Sequence, residues 1–268
     1  MPASASRRRL AMVFAHPDDD TFSSGGTVAL HADDADVLSI LATSGEAGKI
    51  APGSGASRRT LGAVREAEGR AAYEALGKRD ARLEFLRQPD GGVTRIDREA
   101  LVRRVTALLE EFAPEVVVTF GPEGVTKHND HITMGDVGTE SFHRARQWSK
   151  EPLAFRRLLY VAIPWSRIRE WQRMQVEAGQ EPMDPDAPFT PRGVDDDAIA
   201  VRVDASPVVE RVIAALRAHR TQAAEIDDMP EEQLPDIFGI EHYVQAWPPH
   251  ERGATVLTDV FEGLGPAG

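Results

Sequence analysis

Apolar, β-branched runs alternate with amphipathic segments along the chain, and this alternation limits the folds that it can adopt. The runs that read as strands lie at residues 10–15, 36–43, 82–86, 115–120, 158–164 and 198–205. Several of them are continuously apolar, which is typical of strands covered on both faces. Between them, residues 58–77 and 97–112 repeat apolar side chains at spacings of three and four, which predicts helices. The pattern predicts an α/β fold, a Rossmann-like three-layer sandwich with a mostly parallel sheet.

Local signals mark the ends of these two helices and the course of the later chain. Asp97 is suited to cap the start of the second helix, and Gly77 is suited to end the first. Residues 207–226 have the pattern of one long amphipathic helix. Residues 166–196 begin with a helical pattern and continue into a proline-rich, acidic stretch, which we expect to be an exposed lid or insert.

The composition limits the classes of protein to which the chain can belong. Its 268 residues suit one domain spanning residues 1–268. The 43 acidic and 31 basic residues give a net charge of −12, which argues against nucleic acid and anionic membrane surfaces as partners. The absence of cysteine excludes disulfides and thiolate metal ligands and fits a cytoplasmic protein. No apolar run reaches the roughly 18 residues of a membrane span. Whether the chain forms a homo-oligomer stays open.

Two polar clusters each follow directly on an apolar strand. His-Pro-Asp-Asp-Asp stands at 16–20, and Lys-His-Asn-Asp-His-Ile stands at 127–132. In doubly wound sheets ligands bind outside the carboxyl ends of the strands, so we expect both loops to meet at one edge of the sheet and form the active site there. Carboxylates crowded at the edge of an apolar core repel one another, which indicates that a cation is held between them.

The spacing of histidine and aspartate in these clusters suits a metal site. Residues three apart in a turn point to the same side, so His16 with Asp19, and His128 or His131 with Asp130, can converge on one ion. Two imidazoles and one carboxylate suit zinc with an open fourth position, and the same set serves non-haem iron. We predict one divalent metal, with zinc favoured and iron as the alternative.

Other interpretations of the same residues compete with a mononuclear metal site. One aspartate of the first cluster can instead cap a helix that starts near Thr21. His128 and His131 can be exposed loop residues without a ligand. A metallophosphoesterase also uses histidine and aspartate ligands, but it needs two metals and more ligands than these loops offer.

Further segments extend the pattern of the two clusters. They are TSGEAGK (43–49), REAEGRAAYEALG (65–77), FLRQPDGG (85–92) and ALRAHRTQ (215–222). Together with His-Pro-Asp-Asp and the later His-x-Asp-His, they resemble the PIG-L / LmbE-like family of metal-dependent de-N-acetylases. That family includes N-acetylglucosaminyl-inositol deacetylases of mycothiol biosynthesis. The resemblance is close over residues 9–135 and looser over residues 207–245.

The resemblance implies roles for the residues that surround the metal. The implied zinc ligands are His16, Asp19 and His131. Asp18 is implied to be the general base that takes a proton from water at the metal. These roles agree with the ordinary chemistry of amide hydrolysis, which needs an activated water and a nearby proton acceptor.

The resemblance also implies roles for residues further from the metal. His128 is implied to stabilise the oxyanion and to protonate the leaving amine. Asp130 is implied to orient His128 or a metal ligand. The residues implied to line a sugar pocket are Glu46, Arg65 and Asp90. An alternative for Arg65 is a salt bridge along its own helix.

The implied activity is that of a zinc-dependent N-deacetylase, which removes an N-acetyl or small N-acyl group from an amino sugar or a sugar conjugate. Alternatives are an amidase acting on a thiol-conjugate or antibiotic-type substrate, and a non-catalytic sugar-binding member of the fold. The chain departs from the family at Asn129, where many members have proline, and at Asp20, where most have glutamate. Thr126 stands where some mycothiol enzymes place a mobile tyrosine, which argues against a mycothiol-type substrate.

Overall fold

The computed structural model describes residues 7–265 apart from Ala178, Pro185, Asp186 and Pro188. Within this part of the chain the strands are β1 (Arg8–Phe14), β2 (Ala35–Thr43), β3 (Arg82–Gln88), β4 (Val116–Phe120), β5 (Arg157–Pro164), β6 (Gly193–Val194), β7 (Val201–Asp204) and β8 (Ile240–Trp247). The α-helices are α1 (Asp19–Leu30), α2 (Leu61–Ala75), α3 (Arg98–Phe112), α4 (Gly124–Lys127), α5 (Asn129–Trp148), α6 (Trp165–Glu177), α7 (Val209–Ala218), α8 (Ala224–Asp227) and α9 (Leu234–Phe238).

The strands form one sheet in the order β3-β2-β1-β4-β5-β8-β7, with β6 beside β5. Strands β3, β2, β1, β4 and β5 are parallel to their neighbours, whereas β8 runs antiparallel to both β5 and β7. The predicted fold class, a Rossmann-like α/β sandwich with a mostly parallel sheet, is therefore confirmed. From β1 the chain builds outward through β2 and β3, and then returns to β4 on the other side. The point between β1 and β4 is the switch in strand order, where such sheets bind ligands.

Helices cover both faces of this sheet. Helices α3 and α5 pack against each other, and α5 also packs on β4; helices α1, α2 and α7 form the second group. Strands β1 and β4 lie at the centre, and residues 10–14 and 116–119 are fully buried. Burial of this kind stabilises the fold by about 25 cal/mol per Å² of apolar surface. The loops after β1 and β4 therefore start from the rigid, buried centre of the sheet.

Local sequence signals define several of these elements. The Asp97 carboxylate accepts a hydrogen bond of 3.1 Å from the Ala100 N–H, which confirms the predicted cap of α3. Gly77 has a positive φ of 82° directly after α2, a conformation that costs glycine little. Gly26 allows α1 to approach the chain ahead of α7, because a Cβ there would lie 2.3 Å from the Ala205 Cβ.

The predicted helix over 207–226 is wrong in its second half. Helix α7 ends at Ala218, and the chain then turns back toward α2. Glu68 of α2 holds this turn, because its carboxylate accepts from the Thr221 N–H at 2.9 Å and from the Thr221 hydroxyl at 2.6 Å. The Glu68–Thr221 contact joins segments that are far apart in the chain and accompanies the end of α7. The periodicity of apolar residues in the sequence gives no sign of such a contact.

The segment predicted as a lid or insert, residues 166–196, is a helix followed by an irregular chain. Helix α6 fills its first part, and β6 pairs with the end of β5 in its last part. Ala178, Pro185, Asp186 and Pro188 of this prediction lie outside the described residues. The lid itself stays a prediction. In the part of the chain that the structure covers, no helix is both long and apolar enough to cross a membrane.

Candidate metal centre

Three predicted ligands meet at the switch point of the sheet. His16 follows β1, Asp19 begins α1, and His131 lies in the first turn of α5. The Nδ1 atom of His16 lies 3.2 Å from the Nε2 atom of His131. Asp19 lies beside both imidazoles, with one oxygen, Oδ2, at 3.3 Å from His16 Nδ1 and the other, Oδ1, at 3.4 Å from His131 Nε2. Only 11–12% of each of these side chains is exposed.

The spacing of the two imidazole nitrogens fits a tetrahedral cation. Zinc bound to nitrogen and oxygen at about 2.0–2.1 Å places neighbouring ligand atoms about 3.3 Å apart. The 3.2 Å between His16 Nδ1 and His131 Nε2 matches that value, and each of these nitrogens has one oxygen of Asp19 at 3.3 or 3.4 Å. The protein thus holds the two imidazoles at the spacing that a divalent metal requires, with the Asp19 carboxylate beside them.

Outer hydrogen bonds set which nitrogen of each imidazole faces the centre. The Nδ1 atom of His131 lies 3.0 Å from the Gly124 carbonyl, so it carries the proton and leaves a lone pair on Nε2. The Nε2 atom of His16 lies 3.1 Å from the Asp90 carboxylate, which leaves a lone pair on Nδ1. The Oδ2 atom of Asp19 accepts from the His16 N–H at 2.7 Å. Three electron-pair donors therefore converge, and a cation is the complementary partner.

The charges at this centre shift its acid–base equilibria strongly. Burial alone would lower the pKa of His16, but Asp19, Asp130 and Asp90 raise it well above its ordinary value. Burial would raise the pKa of Asp19, yet the neighbouring His131 and His16 hold it well below its ordinary range. The site therefore favours positive charge on the imidazole side, and a divalent cation satisfies the same field.

His128 is a fourth group near the ligands and is held differently. Its Nδ1 atom accepts a 3.1 Å hydrogen bond from the Asp130 N–H, so the proton of the neutral ring lies on Nε2. Nitrogen atoms of His16, His128 and His131 lie within 4.8 Å of one another, which makes His128 an alternative third ligand. The tautomer favours a hydrogen-bond donor instead. Burial, with His16 and His131 nearby, lowers the pKa of His128, which disfavours the protonated ring expected from the resemblance.

Asp18 lines the same cavity, and its carboxylate does not cap helix α1. Its Oδ2 accepts a 2.9 Å hydrogen bond from Arg65 Nη2, and 16% of the side chain is exposed. Its carboxylate makes no capping bond to any N–H of α1 that the structure describes. The Arg65 guanidinium also donates to the Gly45 carbonyl at 3.0 Å. Arg65 therefore positions Asp18. Glu68, the acidic residue three positions further along α2 that could have formed the alternative salt bridge with Arg65, is bound to Thr221 instead.

Asp130 and Asp90 lie on the outer, Nε2 side of the candidate ligand His16. The Asp130 carboxylate accepts from the Gly91 N–H at 2.8 Å and the Val93 N–H at 3.1 Å, so it fixes the loop after β3. Its backbone N–H, not its carboxylate, orients His128. These two carboxylates and His16 form a second group with metal-ligand spacing. Because both carboxylates accept backbone N–H bonds and face the Nε2 side of His16, we interpret them as supports for the ligand.

Of the three residues predicted for a sugar pocket, two line the cavity. Arg65 and Asp90 lie on its wall. Glu46 is not among the described lining residues, and its Oε1 accepts a 2.9 Å hydrogen bond from the Asp90 N–H. Glu46 therefore positions the loop that carries Asp90. The arrangement as a whole offers three metal ligands, one carboxylate with an available oxygen, and one N–H donor.

Comparison with known proteins agrees with this geometry. The PIG-L family, described as GlcNAc-PI de-N-acetylase, matches residues 11–142. A 1D-myo-inositol 2-acetamido-2-deoxy-alpha-D-glucopyranoside deacetylase from Streptomyces avermitilis is 30% identical over 300 residues, covering 97% of this chain and 98% of that protein. The chain belongs to the PIG-L family. The resemblance found in the sequence motifs is confirmed.

Solved structures similar to this PIG-L family member agree on its fold. An N,N'-diacetylchitobiose deacetylase from Pyrococcus horikoshii is 20% identical with a TM-score of 0.59, covering 90% of this chain and 84% of that one. A 4-carboxy-2-hydroxymuconate hydratase from Pseudomonas putida is 17% identical with a TM-score of 0.58, covering 92% and 100%. Since a deacetylase and a hydratase share the fold, the fold alone does not fix the reaction.

The cavity of this PIG-L family member is about 560 Å³, a size typical of small-molecule sites. Its lining combines the polar residues of the candidate metal centre with many apolar and aromatic residues. Phe22 from α1 and Phe238 from α9 pack with ring centroids 6.0 Å apart. Phe189, from the segment predicted as a lid, stacks on His128 with centroids 5.2 Å apart. The cavity therefore has room for more than an acetyl group.

Sequence reasoning missed several residues around this site. Phe120 stacks on His131 at 4.2 Å between centroids and fixes the plane of that ligand. His219, in the segment 215–222 of the family resemblance, is almost fully buried, and its Nε2 lies 3.1 Å from the Thr21 hydroxyl. The α6 residues Arg167 and Trp171 also line the cavity. A strand residue and residues of later helices carry no local motif, so the only signal for Phe120 was its position at the end of the strand that precedes the second cluster.

Proposed function

We propose that this PIG-L family member is a divalent-metal-dependent hydrolase that removes an acetyl or other small acyl group from the nitrogen of an amino sugar or sugar conjugate. The observation that carries this proposal is the convergence of the His16 and His131 imidazole nitrogens, 3.2 Å apart, with the Asp19 carboxylate beside both. It lies in the same cavity as a proton acceptor, Asp18, and an N–H donor, His128. The relationship to curated deacetylases supports the same reaction class.

His16, Asp19 and His131 are the residues that we assign to hold the cation. We propose zinc, because two imidazoles and one carboxylate with an open position are a common catalytic zinc set, and iron(II) is the alternative. When bound, such a cation polarises an amide carbonyl and lowers the pKa of water to about 7. Asp90 and the Gly124 carbonyl keep the two imidazoles in the ligand tautomer.

Asp18 is assigned as the general base. Arg65 holds its Oδ2 atom at 2.9 Å, which orients the carboxylate and leaves Oδ1 to accept a proton from the attacking water. As the water oxygen bonds to the carbonyl carbon, this proton moves to Asp18. The C–N bond then breaks, and the same proton passes from Asp18 to the leaving nitrogen. The second proton of the water is left on the product acid and passes to the amine, so the products are a carboxylate and a protonated amine, Asp18 returns to its charged form, and atoms and charge balance.

His128 is assigned to bind the oxyanion through Nε2–H. The bond from the Asp130 N–H to Nδ1 keeps this proton on Nε2 without requiring a charged imidazole. A positioned donor of this kind lowers the barrier of acyl transfer by about 2.7–4 kcal/mol. The proposal thus assigns proton transfer to Asp18 and charge stabilisation to His128.

The test is acid release from N-acyl amino sugars, with Asp18→Asn as the diagnostic variant. The zinc-loaded protein should release acetate from N-acetylglucosamine conjugates, and Asp18→Asn should lose at least about 100-fold in kcat while retaining one metal per chain. Asp33→Asn, an exposed aspartate in the turn before β2, is the matched control and should keep full activity. Unchanged turnover in Asp18→Asn would overturn the assignment. Release of phosphate from monoesters, with two metals per chain, would overturn the reaction class.

A further inference from the structure

A second, arginine-rich depression adjoins the candidate active-site cavity. It has a volume of about 460 Å³ and shares Arg167, Ile240 and His242 with that cavity. Its charged lining consists of four arginines and one acid: Arg167, Arg169, Arg173, Arg202 and Glu170. In a chain of net charge −12 this is a local concentration of positive charge. We call this group of four arginines the arginine pocket.

Arg167 connects the two spaces and has an unused donor. Only 13% of its side chain is exposed, and its Nη1 is paired with Glu170. Its Nη2 is buried and has no hydrogen-bond partner in the described chain. The same is true of the Nε1 atom of Trp171, whose ring centroid lies 5.5 Å from the Arg167 Cζ. Buried donors are normally paired, so these two neighbouring donors leave hydrogen-bonding capacity beside the cavity, which a ligand acceptor would meet after a small turn of either side chain.

The other arginines keep most of their positive charge available. Arg169 lies 3.6 Å from Asp196, and Arg173 lies 3.9 Å from Glu177. Both pairs are long and exposed, and such surface pairs are weak. Arg202 on β7 is exposed and stands beside His242 in the register of β7 and β8. Burial and then Arg202 and Arg167 lower the pKa of His242 to about 4, which reports a positive potential at this place.

We propose that the arginine pocket binds an anionic group, a phosphate or a carboxylate, of the same amino-sugar conjugate that is deacylated at the metal centre. The inference rests on the proposed function and names the substrate class more narrowly. Guanidinium groups bind the oxygens of phosphates and carboxylates in bidentate geometry, and Arg167 faces both the cavity and the pocket.

The kinetic test compares neutral and anionic substrates. We expect kcat/KM for N-acetylglucosamine 1-phosphate, N-acetylglucosamine 6-phosphate or N-acetylmuramic acid to exceed that for N-acetylglucosamine by about tenfold or more, the effect of one charge-assisted hydrogen bond. The phosphate and carboxylate substrates separate the two kinds of anion. Arg202→Gln and Arg167→Gln should reduce this preference to below twofold, whereas Arg103→Gln, an exposed arginine of α3, should leave it intact. A preference absent from the wild type, or unchanged in both variants, overturns the inference.

A binding test is independent of turnover and of the proposed function. Inorganic phosphate is titrated calorimetrically into the full chain, both zinc-loaded and after chelation. Phosphate binding that survives chelation should weaken about tenfold in Arg202→Gln and not in Arg103→Gln. Equal binding in the wild type and Arg202→Gln overturns the anion site. If phosphate binding depends on Arg202 but no N-acyl sugar is hydrolysed, the anion site stands and the proposed function fails. Arg202 is exposed, so loss of the fold does not complicate this variant.

Discussion

The Nδ1 atom of His16 and the Nε2 atom of His131 lie 3.2 Å apart, although 115 residues of chain separate the two histidines. Each imidazole donates its other N–H to an acceptor outside the centre, so the facing nitrogens both present lone pairs. The acidic neighbours Asp19, Asp130 and Asp90 outweigh burial and raise the pKa of His16 well above its ordinary value, so the centre favours positive charge, supplied by a proton on His16 or by a bound cation. The folding of strands β1 and β4 side by side therefore brings the candidate metal ligands together.

His128→Gln distinguishes an oxyanion donor from a metal ligand. We expect kcat to fall about 100- to 1,000-fold with zinc content unchanged, because the lost group stabilises charge in the transition state. The measurements are steady-state kinetics and metal analysis of the purified variant. Loss of bound zinc in His128→Gln would place His128 among the ligands and contradict the tautomer that the Asp130 N–H imposes.

Asp90→Asn tests the carboxylate behind His16. The Oδ1 atom of Asp90 lies 3.1 Å from His16 Nε2, and removal of an outer partner of this type usually weakens metal binding about 10- to 100-fold. Competition with a chelator of known zinc affinity measures the change. Asp136→Asn, which alters an exposed surface pair with Arg98, is the control and should keep the wild-type affinity. Wild-type zinc affinity in Asp90→Asn would show that this contact does not support the ligand.

His242→Asn tests the depressed pKa of His242, which burial lowers most and which Arg202 and Arg167 lower further. The folded protein holds the pKa of His242 at about 4, below its unfolded value of about 6.5. Below pH 6.5 the unfolded chain binds a proton at His242 that the folded protein does not bind until the pH approaches 4. The contribution of His242 to stability is therefore complete above pH 6.5 and is lost as the pH falls to 4. The wild type should therefore lose up to about 3 kcal/mol more unfolding free energy than His242→Asn between pH 7.5 and 4. Urea unfolding at both values measures this difference, and parallel curves for the two proteins would contradict it.

Thr221→Val tests the contact that ends α7 and turns the chain toward the site. The buried Glu68 carboxylate accepts from both the Thr221 N–H and the hydroxyl, and a hydrogen bond to a charged group contributes about 1.5–3 kcal/mol. We expect Thr221→Val to lower the free energy of unfolding by that amount. Thr258→Val is the matched control, because Thr258 makes the same two bonds to Glu262 at an exposed position. Its cost should stay below about 0.5 kcal/mol, and equal costs would count against burial as the cause.

The parts that sequence reasoning predicted are those governed by local patterns. The loops that carry His16 and His131 each follow a continuous apolar strand, and a parallel sheet brings such loops together. Helix α5 was not predicted, because Gly135 and Gly138 disfavour a helix on propensity alone. In the structure these glycines let α5 touch β4: a Cβ on Gly138 would lie 2.7 Å from the Thr119 hydroxyl.

The remaining features depend on contacts between distant segments. Strand β8 was missed because Glu241 interrupts its apolar pattern, yet Glu241 is buried and accepts from the Gly26 and Thr27 N–H groups. Glu46 was expected to line the sugar pocket, but its carboxylate instead accepts a hydrogen bond from the backbone N–H of Asp90, a residue far away in the chain. No spacing along the chain encodes such pairs. The wall formed by α6 and α9 likewise becomes visible only once the fold is known.

The most direct test of the metal centre is an X-ray absorption spectrum of the zinc-loaded protein, read together with its zinc content. We expect one zinc per chain, with two imidazole nitrogens and light oxygen ligands at about 2.0–2.1 Å. His131→Ala should lower the imidazole count to one. Three imidazoles in the wild type, or an unchanged spectrum in His131→Ala, would contradict the assignment of His16, Asp19 and His131 as the ligands.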